Sequence, residues 1–173
     1  LSSIAAGLSV SDAMLKAASV DLLMNRTICS GKYIVMVGGD VAAVDASVAS
    51  GAQTAGVYTI DTCVIPNIDP SVFPAITGNV VIQSPAALGI IEAFSVAALI
   101  EAADAAVKTS NVQLVEIRLA MALGGKAYAR LTGDVAAVQA AVDAGSALAA
   151  GRGLLVNKVV IAAPSPQLFS EVI

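Results

Sequence analysis

Gly39-Asp-Val-Ala-Ala-Val44 and Gly133-Asp-Val-Ala-Ala-Val138 are the same six residues written twice, at an offset of 94 (133 − 39). A repeat of this kind decides the organisation of a chain before any single element does. Working outward, Asp12-Ala-Met-Leu-Lys16 is echoed by Asp104-Ala-Ala-Val-Lys108, and Ser19-Val-Asp-Leu-Leu23 by Asn111-Val-Gln-Leu-Val115, at an offset of 92 (104 − 12). Near the end, Pro70-Ser-Val-Phe73 matches Pro166-Gln-Leu-Phe169 at 96 (166 − 70). The two residues gained between the first blocks fall in one loop, where Cys29-Ser-Gly31-Lys32 stands against Met121-Ala-Leu-Gly-Gly125-Lys126.

Each copy reads as alternating helix and strand. Ser3–Ala17 has helical spacing, with Ile4, Leu8, Met14 and Leu15 on or near one side and an i,i+4 Asp12/Lys16 pair. Val20–Arg26 with Tyr33–Val37, and Gln113–Leu119 with Ala127–Leu131, are β-type runs expected to pair antiparallel. Asp40 and Asp134 stand where an N-cap carboxylate would accept amide hydrogen bonds from helices over Val41–Ala55 and Val135–Ala149. Thr59–Ile65 and Leu155–Ile161 then close the units as strands. Copy two also opens with a buried-strand pattern, Ala87-Leu-Gly-Ile-Ile-Glu92, whose counterpart would precede Leu1, so domain 1 is expected without its first strand. The fold class is α+β, two β-α-β-β-α-β domains at 1–76 and 86–173 joined by a linker at 77–85.

Composition narrows the function. Apolar residues make up 57% of the chain and charged ones 13%, against roughly 45–50% and 25% in ordinary globular proteins. No run of 18 or more apolar residues occurs, and the uncharged stretch Pro70 to Ile91 is broken by Pro74 and Pro85, so no membrane partner is expected. Leu1 to Ser11 has no basic region of the kind that opens a signal peptide, which points to the cytoplasm. The apolar excess, largely Ala and Val, then suits subunit interfaces. A net charge of −4 with no Trp and few aromatics argues against nucleic acid. With no histidine and no nucleophile–base pattern, an enzyme is not expected. The Gly-Lys pairs are not P-loops, since Arg26 and Ala120 occupy the required glycine positions and Tyr33 and Ala127 the Ser/Thr ones.

Ala87-Leu-Gly-Ile-Ile-Glu92, Ala102-Ala-Asp-Ala-Ala-Val-Lys108, Gly133-Asp-Val-Ala-Ala-Val138 and Ala141-Val-Asp-Ala-Gly145 together resemble the BMC domain of bacterial microcompartment shells. The full chain resembles the tandem-domain, trimer-forming members of that family, in particular the propanediol-utilisation type with an iron–sulfur pore. The resemblance implies a homotrimer of six BMC domains, a pseudohexameric facet tile that meets neighbouring shell proteins in the microcompartment shell. It implies a pore built by Thr27, Ile28, Ser30, Gly31 and Lys32 and by Met121, Ala122, Leu123, Gly124 and Gly125, and it matches Lys16 and Lys108 to the family's tile-edge lysine. The arginine that single BMC domains carry after the last strand is absent here, its places being Pro66-Asn-Ile-Asp-Pro70 and Ala163-Pro-Ser-Pro166.

Cys29 carries the chemistry that the resemblance implies. Three symmetry-related thiolates match three irons of a [4Fe–4S] cluster, one per trimer, with Lys32 and Arg26 near enough in sequence to offset its negative charge. Such a pore would relay electrons or deliver a cluster across the shell, to an encapsulated or cytosolic redox enzyme. On composition alone Cys29 is an ordinary loop thiol, and the tile would then pass small metabolites through a pore without a cluster. Cys63, in the apolar run Thr62–Ile65, reads as core.

Overall fold

The computed structural model describes residues 1–82, 86–120 and 124–169. Gln83, Ser84 and Pro85 of the expected linker lie outside them. The chain divides into two compact units, one of Leu1–Pro66 with Ala120–Gly125 and one of Asn67–Leu119 with Lys126–Ile173.

In the second unit β3 (Ala87–Ala93), α4 (Val96–Thr109), β4 (Gln113–Leu119), β5 (Ala127–Gly133), α5 (Val135–Gly151) and β6 (Leu155–Ile161) follow in the expected order. The strands form one antiparallel sheet in the order β4-β5-β3-β6. The α4/α5 pair packs on β3, and Ile91, Leu99, Leu114, Ile117, Leu131, Val138 and Val142 are fully buried. Small residues set the spacing. A Cβ at Gly145 would collide with the Ala102 carbonyl oxygen and lie 2.8 Å from Ile91 Cδ1, while one at Gly89 would lie 2.7 Å from Val142. Alanine and glycine thus let helix backbone approach helix and sheet to contact distance.

In the first unit α1 (Ile4–Ala17), β1 (Asp21–Ile28), β2 (Lys32–Gly38) and α2 (Val41–Ala55) appear as expected, with β1 and β2 a two-stranded antiparallel sheet. The packing device repeats: Gly51, offset by 94 from Gly145, leaves no room for a Cβ against Met14 (2.6 Å). The core is Val10, Met14 and Ala55 with Leu1, Val35, Val37 and Val48 around it.

Several expectations are corrected. Thr59–Ile65 is not a strand: its equivalent β6 is held by β3, and the first unit has no counterpart of β3 among the described residues to supply the ladder. The inward face of α1 is Gly7, Val10, Ser11 and Met14, while Ile4, Leu8 and Leu15 are exposed; the Tyr33 ring lies against Gly7, where a Cβ would fall 2.7 Å or less from it, and so fixes which side turns in. Asp40 and Asp134 occupy the N-cap positions, but neither side chain makes a capping hydrogen bond; both are exposed, which leaves only the attraction of a carboxylate to the helix N-terminus. The caps the sequence reading missed are Ser3 and Ser95, related by the offset of 92, whose Oγ atoms accept from the Ala6 and Ala98 amides. Residues 67–76, assigned to domain 1 by the repeat, pack with the second unit, where α3 (Val72–Thr77) lies on β4 and buries Val72 and Ala75.

Candidate functional site: the Cys29 hairpin

Ile28 pairs with Lys32 at the end of the β1–β2 ladder, leaving Cys29-Ser30-Gly31 as a three-residue loop. Gly31 has φ +73°, the left-handed conformation that closes such hairpins and that glycine adopts without strain. Thr27, Ser30 and Gly31 are exposed, while Ile28, Cys29 and Lys32 are half-buried. Cys29 therefore sits at a hairpin tip, neither in the core nor fully in solvent.

The corresponding loop of the second copy meets this hairpin. The Cys29 amide donates to the Ala120 carbonyl oxygen at 2.8 Å. Ala120 is fully buried and has φ +52°, an uncommon conformation for a residue with a Cβ. Gly124 and Gly125 have φ of +61° and +89°, and the place a Gly125 Cβ would take is filled by the Lys32 ammonium, 2.6 Å away. Of the expected pore residues, Thr27, Ile28, Cys29, Ser30, Gly31 and Lys32 thus share one locus with Gly124 and Gly125. Met121, Ala122 and Leu123 lie outside the described residues. Arg26 is exposed on β1, opposite Ile34. The sequence reading missed Ala120, and its only signal was its place one residue beyond the expected strand Gln113–Leu119.

A cluster or metal needs several donors, and among the described residues no group of three or more His, Cys, Asp or Glu side chains is placed to hold one. A single chain offers one thiol at the hairpin tip, so the donor set fits an iron–sulfur cluster only if symmetry supplies the other thiolates. Cys63 is half-buried and, like Cys29, outside any disulfide.

The two lysines that the resemblance matches to a tile edge, Lys16 and Lys108, sit in different settings. Lys16 pairs with Asp12 at 2.7 Å with both side chains exposed, 75% and 63%. Lys108 pairs with Asp104 at 2.6 Å, but there the carboxylate is only 8% exposed and also accepts the Asp69 amide at 2.7 Å. Asp69 in turn accepts the Ser71 hydroxyl and amide, and these bonds, the hydroxyl first, hold its carboxyl below the usual carboxylate range. The sequence reading missed this relay, although Asp69-Pro-Ser71 is an Asx-turn pattern.

No helix among the described residues is long and apolar enough to cross a membrane. The family model described as "BMC domain" matches residues 1–68 and 87–164. The chain is 47% identical over its whole length to the bacterial microcompartment shell protein PduT of Citrobacter freundii, covering 94% of that protein. It is 48% identical over 82 residues, 47% of the chain, to the shell protein EutM of Salmonella typhimurium, covering 83% of it. A crystal structure of a microcompartment protein from Desulfitobacterium hafniense superposes with a TM-score of 0.88 at 52% identity, covering 97% of this chain and 93% of that one. A fused permuted hexameric shell protein shares the fold at a TM-score of 0.63 and 22% identity, over 83% of this chain and 75% of its own. The repeat, the α+β units and these matches agree: the chain belongs to the BMC-domain family of microcompartment shell proteins, as a tandem-domain member.

Proposed function

We propose that the chain is a facet tile whose three copies surround a pore, and that the Cys29 thiols of the three copies together hold one [4Fe–4S] cluster. The observation that carries this reading is the hairpin tip. A half-buried cysteine stands on a tight turn whose amide donates to the Ala120 carbonyl in the second repeat's loop, so a backbone hydrogen bond helps to hold its position. Preorganised ligands of this kind lose little entropy on binding. Exposed apolar side chains, among them Leu8, Leu15, Phe94 and Val135, provide surface for the contacts between copies and with neighbouring shell proteins that a tile requires.

When bound, the cluster supplies one-electron chemistry at the pore. Cys29 holds it, Gly31 shapes the turn that presents the thiol, and Gly125 leaves room for the Lys32 ammonium beside the turn. Electron relay to an encapsulated or cytosolic redox enzyme, or delivery of a cluster across the shell, is the role this reading assigns.

The test is anaerobic reconstitution with iron and sulfide, followed by visible absorption and iron analysis on the intact chain, Cys29→Ser and Cys63→Ser. The expected result is a brown protein whose chromophore is lost in Cys29→Ser and kept in Cys63→Ser. An iron-free intact chain, or equal iron in all three, would overturn the cluster and leave a tile that passes small metabolites.

A further inference from the structure

The two copies of the repeat differ in what covers them. In the second unit α3, which closes the first copy in the sequence, lies on β4 and against α4, and Ile100, Leu114 and Val115 are at most 9% exposed. At the offset of 92 their counterparts in the first unit are Leu8, Leu22 and Leu23, which are 55%, 40% and 47% exposed. The carboxylates divide in the same way. Asp104 is buried and accepts the Asp69 amide, while its counterpart Asp12 stays exposed. Four positions of α1 and β1 are thus bare where α4 and β4 are covered.

The covering segment itself occurs twice. Pro70-Ser-Val-Phe73 recurs as Pro166-Gln-Leu-Phe169, and the second version forms a short 3-10 turn over Pro166–Phe169. Val72 of the first version is fully buried, whereas Leu168, at the same place in the second, is 46% exposed. Arg130 donates to the Leu168 carbonyl at 2.8 Å, a bond that holds the backbone of the turn and leaves the leucine side chain open to a further contact.

We propose that Pro166–Phe169 of one copy docks on the α1 and β1 face of the next copy, repeating between chains the packing of α3 on α4 and β4. Leu168 then takes the part of Val72 against Leu8, Leu22 and Leu23, and the Ser165 amide meets the Asp12 carboxylate as the Asp69 amide meets Asp104. The occupant is a second copy because segment and surface both belong to this chain and their fit is already built once within it. The relation is directional, each tail passing forward to a unit whose own tail passes on, and contacts of this kind close as rings. Its assignment to the next copy rests on the reading of three copies around one pore, six units in all. Docking also places the Asp12/Lys16 pair in the covered setting that Asp104/Lys108 has within the chain.

The experiment replaces Phe169 with photoreactive p-benzoylphenylalanine in particles assembled from a mixture of nitrogen-14 and nitrogen-15 chains. Crosslinked peptides are mapped after irradiation, and the native mass of the same sample is recorded. The expected result is a three-chain particle with crosslinks between light and heavy peptides, from position 169 to Ile4–Ala17 or Asp21–Ile28. Leu168→Asp, which removes one buried leucine from each contact, should raise the concentration at which the copies separate at least about tenfold, while Leu168→Met should change it much less. A three-chain particle whose crosslinks stay within one chain, or fall outside α1 and β1, would overturn the docking and leave the three-copy reading standing. Equal association of Leu168→Asp and the intact chain would do the same. A single-chain particle without light–heavy crosslinks would overturn both.

Discussion

Replacing Gly145 by alanine tests the packing rule on which both units are built. The added Cβ would strike the Ala102 carbonyl oxygen and sit 2.8 Å from Ile91 Cδ1. The first obstacle is helix backbone, which cannot swing aside as a side chain would, so α4 and α5 must separate. Overpacking of this kind costs about 1–3 kcal/mol, and rigid backbone places this site near the upper value. Replacing glycine by alanine within a helix returns up to about 1 kcal/mol. The net is about 2 kcal/mol of destabilisation, or roughly 4–8 °C in Tm at 2–4 °C per kcal/mol. Gly151 on the same helix is the matched control, since its Cβ would meet nothing within 4 Å; Gly151→Ala should be neutral or stabilising by up to about 1 kcal/mol. Thermal and urea unfolding of both variants provides the assay. A Gly145→Ala protein as stable as Gly151→Ala would refute the claim that glycine sets the α4–α5 spacing.

Three further outcomes are expected. Ser3→Ala and Ser95→Ala each remove a capping bond and should cost about 1 kcal/mol, whereas Asp40→Ala and Asp134→Ala, which remove none, should cost only about 0.3–1 kcal/mol; urea titration separates the pairs. Asp104→Ala strands the Asp69 amide and removes the partner of Lys108, so it should cost about 1–3 kcal/mol, against about 0.5 kcal/mol or less for the exposed Asp12→Ala. Because Asp69 is held below the usual carboxylate range by the Ser71 bonds, its folded pKa is lower than its unfolded one. Its contribution is present above the unfolded value and is lost as pH falls through the folded one. Ser71→Ala, which removes the hydroxyl bond and keeps the amide one, should raise the Asp69 titration midpoint, read by carboxyl-carbon NMR, and weaken that acid-range dependence.

The repeat made most of the fold legible, because side-chain periodicity is local and the echoed blocks fixed where each element recurs. Gln113–Leu119 as a strand and Val41–Ala55 as a helix needed only their own residues. Thr59–Ile65 did not become a strand because pairing is non-local: the run matches its counterpart β6, yet only a neighbour can turn an extended run into a ladder. The inward face of α1 was misread for a related reason. Ile4, Leu8 and Leu15 are its large apolar residues, but Gly7 determines where Tyr33 lies, and an absent side chain leaves no hydrophobic signal. At the site, Cys29, Gly31 and Lys32 were visible as a loop motif. Ala120, seated on the Cys29 amide, was hidden because its role is carried by backbone atoms that any residue possesses.

Native mass spectrometry of the anaerobically reconstituted protein tests the central claim most directly, because it counts chains and iron in one particle. The account predicts a species of three chains carrying a single four-iron, four-sulfide cluster, and an iron-free three-chain species for Cys29→Ser. A monomer, or one cluster for every chain, would contradict it.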